Sequence, residues 1–202
     1  MKIYEYEGKN AEELLLNALK ELDVKDDELI HFEKEETVGL LKKKKIIMKV
    51  VLKTDVIEFS KKYIKNLVEA MGLEVNLETK RKENYILIKL HSNNNSILIG
   101  KNGKTLDALQ VILRQVLHAQ TGLFINIILD VEDYKEKHQR SIEFLAKKLA
   151  KEVVQTSIEI KMDSMNSYER RLVHNVLSDF KGVKTESEGE EPNRCVVIKP
   201  SK

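Results

Sequence analysis

Residues 98–110 read LIGKNGKTLDALQ, and this stretch decides the fold of the middle of the chain. Gly100 and Gly103 bracket two polar residues and stand between two apolar segments with helical spacing. Glycine has no Cβ, so the backbone can turn sharply at both positions and approach a phosphate closely. The next helix offers free N–H groups, and Lys101 and Lys104 add positive charge. The pattern predicts an anion-binding loop, although a tight turn between two helices with solvated lysines has the same pattern.

The elements around this loop complete a module of order α-β-β-α-α-β. Hydrophobic spacing and turn residues predict a helix at 55–71, strands at 73–80 and 84–90, an apolar turn at 97–99, a helix at 105–120 and a strand at 123–130. Thr54 or Asp55 is expected to cap the first helix, and Gly72 to follow its end. On the second helix the residues expected in the core are Leu106, Leu109, Ile112, Leu113 and Val116.

Two further modules flank this one, and the fold class is α+β. The chain before it predicts β-α-β-β, with strands at 2–7, 29–36 and 45–53 and a helix at 11–22 that begins at Asn10. The chain after it predicts α-β-α-β-β, with helices at 132–155 and 167–180 and strands at 158–162, 183–188 and 194–199. The expected domains are residues 1–53, 54–130 and 131–202.

A second motif lies in the last module, where residues 165–174 read MNSYERRLVH. Arg170 and His174 are four residues apart and share one helix face, with Arg171 beside them. A surface-facing arginine and histidine can contact phosphates, and protonation of the histidine strengthens the contact. Taken alone, the pattern equally describes a solvated pair.

These motifs together resemble a bacterial family called Jag or KhpB. The stretch at 98–110 is similar to the KH loop of that family, and residues 165–198 resemble its R-three-H domain, which binds single-stranded nucleic acids. Residues 1–53 resemble its N-terminal domain, so the resemblance covers essentially the whole chain. It implies a type II-like KH fold whose loop clamps about four nucleotides of single-stranded RNA.

The resemblance also implies which residues bind RNA. They are Ile99, Gly100, Lys101, Asn102, Gly103, Lys104, Arg170, Arg171 and His174. Leu98 and Ile99 are expected to floor a groove for the bases, and Gly100→Asp or Gly103→Asp is expected to reduce binding with folding retained. The chain departs from the family at Asn193 and Cys195, where an aromatic and a basic residue are expected. It also runs from Gly39 into a lysine run without the family's second glycine.

Partners and physiology follow only from the resemblance. It implies a small partner KH protein, self-association, roles in the cell envelope and division, and proximity to a membrane insertase. Single-stranded DNA is an alternative ligand. A protein-interaction adaptor is an alternative of another class, because residues 1–36 hold twelve acidic residues against five lysines and would repel phosphates.

Composition and the remaining motifs favour binding over catalysis. The chain has one cysteine, no apolar run that could span a bilayer and no signal peptide pattern, so a cytoplasmic protein without cofactor or metal is expected. Aromatic residues make up only 5%, which argues against recognition by stacking.

Two charged runs remain, one acidic and one basic. The acidic run, Glu186–Glu191, is expected to be a solvated turn. The lysine run is either a phosphate or membrane-surface patch or a solubilising turn; it comprises Lys42, Lys43, Lys44 and Lys45.

Overall fold

The computed structural model describes residues 1–38, 43–82 and 84–201, and within them it shows three separate three-stranded sheets. The strands are β1 (Tyr4–Gly8), β2 (Leu29–Val38), β3 (Lys43–Leu52), β4 (Val75–Arg81), β5 (Ile86–Ser92), β6 (Ile127–Val131), β7 (Ile160–Ser164), β8 (Val183–Glu188) and β9 (Cys195–Pro200). The α-helices are α1 (Ala11–Leu22), α2 (Lys53–Ala70), α3 (Asn95–Ile99), α4 (Lys104–Thr121), α5 (Tyr134–Thr156) and α6 (Ser167–Leu177). The predicted α+β class and element order are confirmed. The chain forms two compact units, Met1–Glu132 and Asp133–Lys202, while the division into three domains stays a prediction.

The first sheet has the order β1-β3-β2, with antiparallel pairs throughout. α1 covers it because Leu14 and Ala18 recur on one face and pack with Met48 and Val50 of the central strand. The Asn10 side chain accepts a hydrogen bond from the Glu12 backbone N–H at 2.9 Å, so the predicted N-cap is confirmed.

The second sheet, β4-β5-β6, places the glycine loop. β4 and β5 are antiparallel, but β5 and β6 are parallel, so the chain between them must cross over one face of the sheet. α3 and α4 form that crossover, and the loop at 100–103 is the turn between them. Within this module α4 packs against α2, α3 and β6.

One expectation about the core of α4 is wrong. Ile112 is 41% exposed, whereas Leu106, Leu109, Leu113 and Leu117 are buried, because that set forms one stripe and Ile112 lies beside it.

The predicted cap of α2 is also wrong, because neither Thr54 nor Asp55 caps it. The helix starts directly after β3 with Leu52 as N-cap and no side-chain cap, so both predicted caps lie within its first turn. The Asp55 carboxylate instead accepts from the Lys2 backbone N–H at 3.1 Å.

The third sheet forms the second unit with α5 and α6. Its order is β7-β9-β8, and all its pairs are antiparallel. The two helices bury an apolar core against it; its members include Ala146, Ala150, Val153, Val173 and Ile198. Cys195 is buried at the start of β9.

The burial pattern of α4 predicts a large difference between two truncations on the same helix. Leu113→Ala should lower the free energy of unfolding by about 2–5 kcal/mol, because Leu113 is fully buried and its loss leaves a cavity. Val111→Ala, at a position 54% exposed, should change it by less than about 0.5 kcal/mol. Urea unfolding of both variants measures the difference, and equal effects would contradict this packing.

Candidate nucleic-acid interface

The loop between α3 and α4 has a backbone that only particular residues tolerate. Gly100 has φ 69° and ψ −178°, and Gly103 has φ 75° and ψ 4°. Asn102, between them, is left-handed at φ 53° and ψ 35°, a conformation that asparagine adopts more readily than most residues. Three of four consecutive residues with positive φ produce a sharp reversal between the two helices.

A side chain at position 100 has no room. A Cβ placed there would lie 2.1 Å from Thr105 Oγ1, 2.8 Å from Thr105 Cβ and 3.0 Å from the Thr105 backbone nitrogen. The expectation that Gly100→Asp keeps the fold is therefore wrong, because that variant combines a steric clash with a strained backbone. Gly103 is buried and left-handed, so aspartate there is also strained.

The polar residues of the loop face solvent. Lys101, Asn102 and Lys104 are exposed, and Gly103, the N-cap of α4, offers no side-chain cap for the first N–H groups of the helix. The loop therefore presents two cations beside the start of a helix whose N-cap is a glycine, and a helix N-terminus with nearby positive charge is the chemistry that binds a phosphate. Asp107 lies in the first turn of α4.

The apolar floor differs from the prediction. Leu98 is fully buried and belongs to the core, so it cannot contact a base, while Ile99 is half-buried. Exposed apolar surface on the two helices that flank the loop comes instead from Ile97 on α3 and from Ile112, two turns into α4, which are 48% and 41% exposed. The sequence reading missed these two because their spacing is compatible with burial.

The sequence predicted that Arg170 faces the surface, and this prediction is wrong. Arg170 is 8% exposed, and its Nη1 donates to the Met165 backbone oxygen and to Glu191 Oε1, both at 2.8 Å. Glu191 of the acidic run, expected from the sequence to be a solvated turn, thus neutralises this arginine. Arg171, its neighbour on α6, is exposed.

His174 is held between two hydroxyls of β8. Its Nδ1 lies 2.6 Å from Thr185 Oγ1, and its Nε2 lies 2.8 Å from Ser187 Oγ. Burial, and next the positive charge of Arg170, lower the pKa of His174 below its ordinary value. The expected phosphate contact by a protonated His174 is therefore not supported, because the ring is neutral near pH 7 and has partners at both nitrogens.

The lysine run is partly paired with carboxylates. Lys42 lies outside the described residues, and Lys43 begins β3. Lys44 Nζ lies 3.2 Å from Glu35 Oε2, and Lys45 forms an ion pair with Glu7. In the described part of the chain, no helix is long and apolar enough to cross a membrane.

The acidic run is ordered by cations of neighbouring segments. Lys199 on β9 donates to Glu186 and Glu188 at 2.6 and 2.7 Å, and these bonds raise its pKa while lowering that of Glu186. Across residues 1–38, 43–82 and 84–201, no cluster of three histidine, cysteine or acidic side chains suits a metal ion. Glu186 and Glu188 of the run thus pair with Lys199, and Glu191 pairs with Arg170.

Two family models match the chain. The model described as "KhpA/KhpB, KH domain" matches residues 57–127, and the model of the R-three-H domain matches residues 140–200. The RNA-binding protein KhpB of Clostridium symbiosum is 34% identical over 200 residues, which are 95% of this chain and 88% of that protein. The RNA-binding protein KhpB of Bacillus subtilis is 31% identical over 197 residues, 95% of either chain.

The environment of His174 predicts how stability depends on pH. Because its pKa is lower in the folded chain than in the unfolded one, the unfolded state binds the proton more readily as pH falls below about 6.5. Its contribution to stability is therefore complete above that value and is lost towards acid. Between about pH 7.5 and 5.5, wild type should lose more thermal stability than His174→Gln, whose amide can still bond Thr185 and Ser187. Equal losses in both proteins would contradict this assignment.

Proposed function

This chain belongs to the KhpB family, and on that premise we propose that it binds single-stranded RNA at the loop of residues 100–104. The resemblance read from the sequence is thereby confirmed at the level of the family and of its KH and R-three-H domains. Its relatives carry the name RNA-binding protein, which supports binding rather than catalysis as the role of this chain.

The observation that carries the proposal is the geometry of the glycine loop. The backbone at Gly100 and Gly103 permits a phosphate to approach, the uncapped start of α4 supplies N–H donors, and Lys101 and Lys104 supply charge. We propose that this loop holds the RNA backbone while bases lie beside half-buried Ile99 and the exposed side chains of Ile97 and Ile112. This arrangement binds the strand and breaks no bond.

We propose a second, weaker site in the R-three-H domain, at Arg170, Arg171 and His174. Arg170 already donates a hydrogen bond to the Glu191 carboxylate, whose negative oxygens resemble those of a phosphate. In this proposal a phosphate oxygen replaces the Glu191 carboxylate at Arg170, and exposed Arg171 adds positive charge. His174, as a neutral ring, holds β8 in place through Thr185 and Ser187.

Three domains and several partners remain proposals from family membership. We propose the domain limits 1–53, 54–130 and 131–202, a small partner KH protein, self-association, and proximity to a membrane insertase.

The alternative function, a protein-interaction adaptor, is favoured by one observation: Lys44 and Lys45 pair with Glu35 and Glu7, so these lysines add little positive potential to an acidic N-terminal segment. Such a segment suits a protein partner better than RNA, and single-stranded DNA stays an alternative ligand for the other domains.

Lys101→Asp/Asn102→Asp tests the KH loop without touching its glycines. Both residues are exposed, and aspartate tolerates the left-handed backbone of position 102, so the fold should be retained. The added negative charge against a phosphate should weaken binding of a single-stranded oligoribonucleotide about tenfold or more. Fluorescence anisotropy measures the affinity.

The matched control is Lys62→Asp/Asn66→Asp, which makes identical substitutions at two exposed positions of α2. This control should bind RNA much more tightly than the loop variant. If the two variants bind equally, the effect is one of net charge, and the loop is not the site. If wild type binds no RNA but captures a protein through residues 1–53, the adaptor function replaces this proposal.

Glu191→Gln tests the second site. The amide keeps an acceptor for Arg170 but removes the competing charge, so affinity for single-stranded nucleic acid should rise by a few-fold and depend more steeply on salt. Glu190→Gln, at an exposed neighbouring position, is the control for loss of one negative charge. A similar gain in both variants would assign the effect to the overall potential of the turn.

A further inference from the structure

Phe124 is the most exposed large hydrophobic side chain in the described part of the chain, at 86%. It lies in the connection from α4 to β6, where Leu123, Ile125 and Ile127 point inward and are buried. The alternation puts Phe124 on the outer side of an extended segment. Single exposed apolar side chains are common on protein surfaces, so the exposure of Phe124 is informative only together with the contacts and the charges around its ring.

The ring of Phe124 is held in place from one side. His118, near the end of α4, stacks on it with ring centroids 4.4 Å apart and an interplanar angle of 19°. His118 Nδ1 in turn lies 3.3 Å from the Leu123 backbone oxygen, which fixes the histidine ring. With His118 on one face and such high exposure, the opposite face of Phe124 is open to solvent as a flat, pre-oriented surface.

Two clefts of about 280 Å³ meet at this ring. Arg114, His118 and Asn126 line one, and His31, Lys53, Lys82, Asn84 and Tyr85 are among the residues that line the other. Neither cleft has an aspartate or glutamate among its described lining residues, although 33 of the 202 residues are acidic.

The cations around the ring are available to a ligand. Arg114 uses its Nε to donate to the Ile127 backbone oxygen at 3.0 Å, which fixes the guanidinium at the edge of the cleft. Neither Lys53 nor Lys82 forms an ion pair with a described residue. The surface thus combines an aromatic plane, two asparagine amides and fixed positive charge, which is the composition of single-strand binding surfaces.

We propose that Phe124 is a stacking platform for one unpaired base of a bound single strand, with Arg114, Lys53 and Lys82 contacting the adjoining phosphates. The proposal rests on the RNA-binding function proposed above and adds a site to it. Each cleft is just below the roughly 300 Å³ at which sites for drug-sized ligands begin, so it suits one base. The site is separate from the glycine loop, because the 18 residues of α4 span about 27 Å between them.

Positive charge selects nucleic acid over an apolar partner. A surface that packs against a second copy of this chain would be expected to lose cations at its centre and to gain apolar neighbours. The clefts at Phe124 keep Arg114, Lys53 and Lys82 in their lining, beside Tyr85 and aliphatic side chains such as Ile86. The 5% aromatic content argued against stacking, but stacking needs only one correctly placed ring.

The test compares three substitutions in the full chain for binding of a labelled oligouridine of about 15 nucleotides. Phe124→Ala removes the platform, Phe124→Tyr keeps it, and Phe144→Ala removes another exposed ring, 72% exposed on α5. Phe124→Ala should bind about five- to a hundredfold more weakly than wild type, with Phe124→Tyr and Phe144→Ala close to wild type. Ultraviolet crosslinking of the wild-type complex should label the peptide that contains Phe124.

Every other outcome overturns the proposal. Unchanged affinity of Phe124→Ala, or an equal loss in Phe144→Ala, removes Phe124 as a specific platform. A change from dimer to monomer by light scattering in Phe124→Ala, with unchanged RNA affinity, assigns the surface to a second copy of the chain. If wild type binds RNA through the glycine loop and Phe124→Ala binds as tightly, the platform alone fails; if wild type itself binds no RNA, the proposed function fails with it.

Discussion

The close approach of the Gly100 backbone to Thr105 is the constraint on which the central module depends. With a Cβ only 2.1 Å from Thr105 Oγ1, no residue but glycine fits without a shift of the start of α4. This contact closes the turn between α3 and α4, and that turn lets the chain cross from β5 to the parallel strand β6. The same turn leaves Lys101 and Lys104 outside, so one steric requirement sets both the fold of the module and the position of its cations.

The distribution of ion pairs then decides which cations a polyanion meets. Lys45, Lys199 and Arg170 each have a carboxylate of their own chain, although the net charge of the whole chain is +2. The pairs of Lys45 and Lys199 lie at the protein surface and contribute little to stability, so their main effect is on the surface potential. Net charge therefore says little about nucleic-acid binding by this chain. The cations beside the glycine loop and Phe124 pair with no carboxylate of the described residues. They mark the positions where the electrostatic free energy of binding a phosphate is most favourable.

Features with a local cause could be predicted from the sequence, and features with a distant cause could not. The Asn10 cap, the helix from residue 11 to 22 and the glycine loop follow from neighbours in the chain. The burial of Arg170 depends on Glu191, 21 residues later, and no periodicity reports that pairing. Phe124 is an intermediate case, since the alternation in LFINIILD is compatible with a place opposite Leu123 and Ile125 but does not indicate that its ring stacks on His118.

The Arg170–Glu191 pair gives the two proposed sites of the family domains unequal roles. A phosphate that approaches Arg170 must compete with a carboxylate tethered to the same protein, and tethering gives that carboxylate a high effective concentration. In the proposed function a free strand binds first at the glycine loop, where Lys101 has no such competitor among the described residues. Once that strand is held, its remaining phosphates are tethered as well, which raises their effective concentration against Glu191. On this proposal a strand long enough to contact both sites binds more tightly than a short one, and that preference needs no recognition of bases.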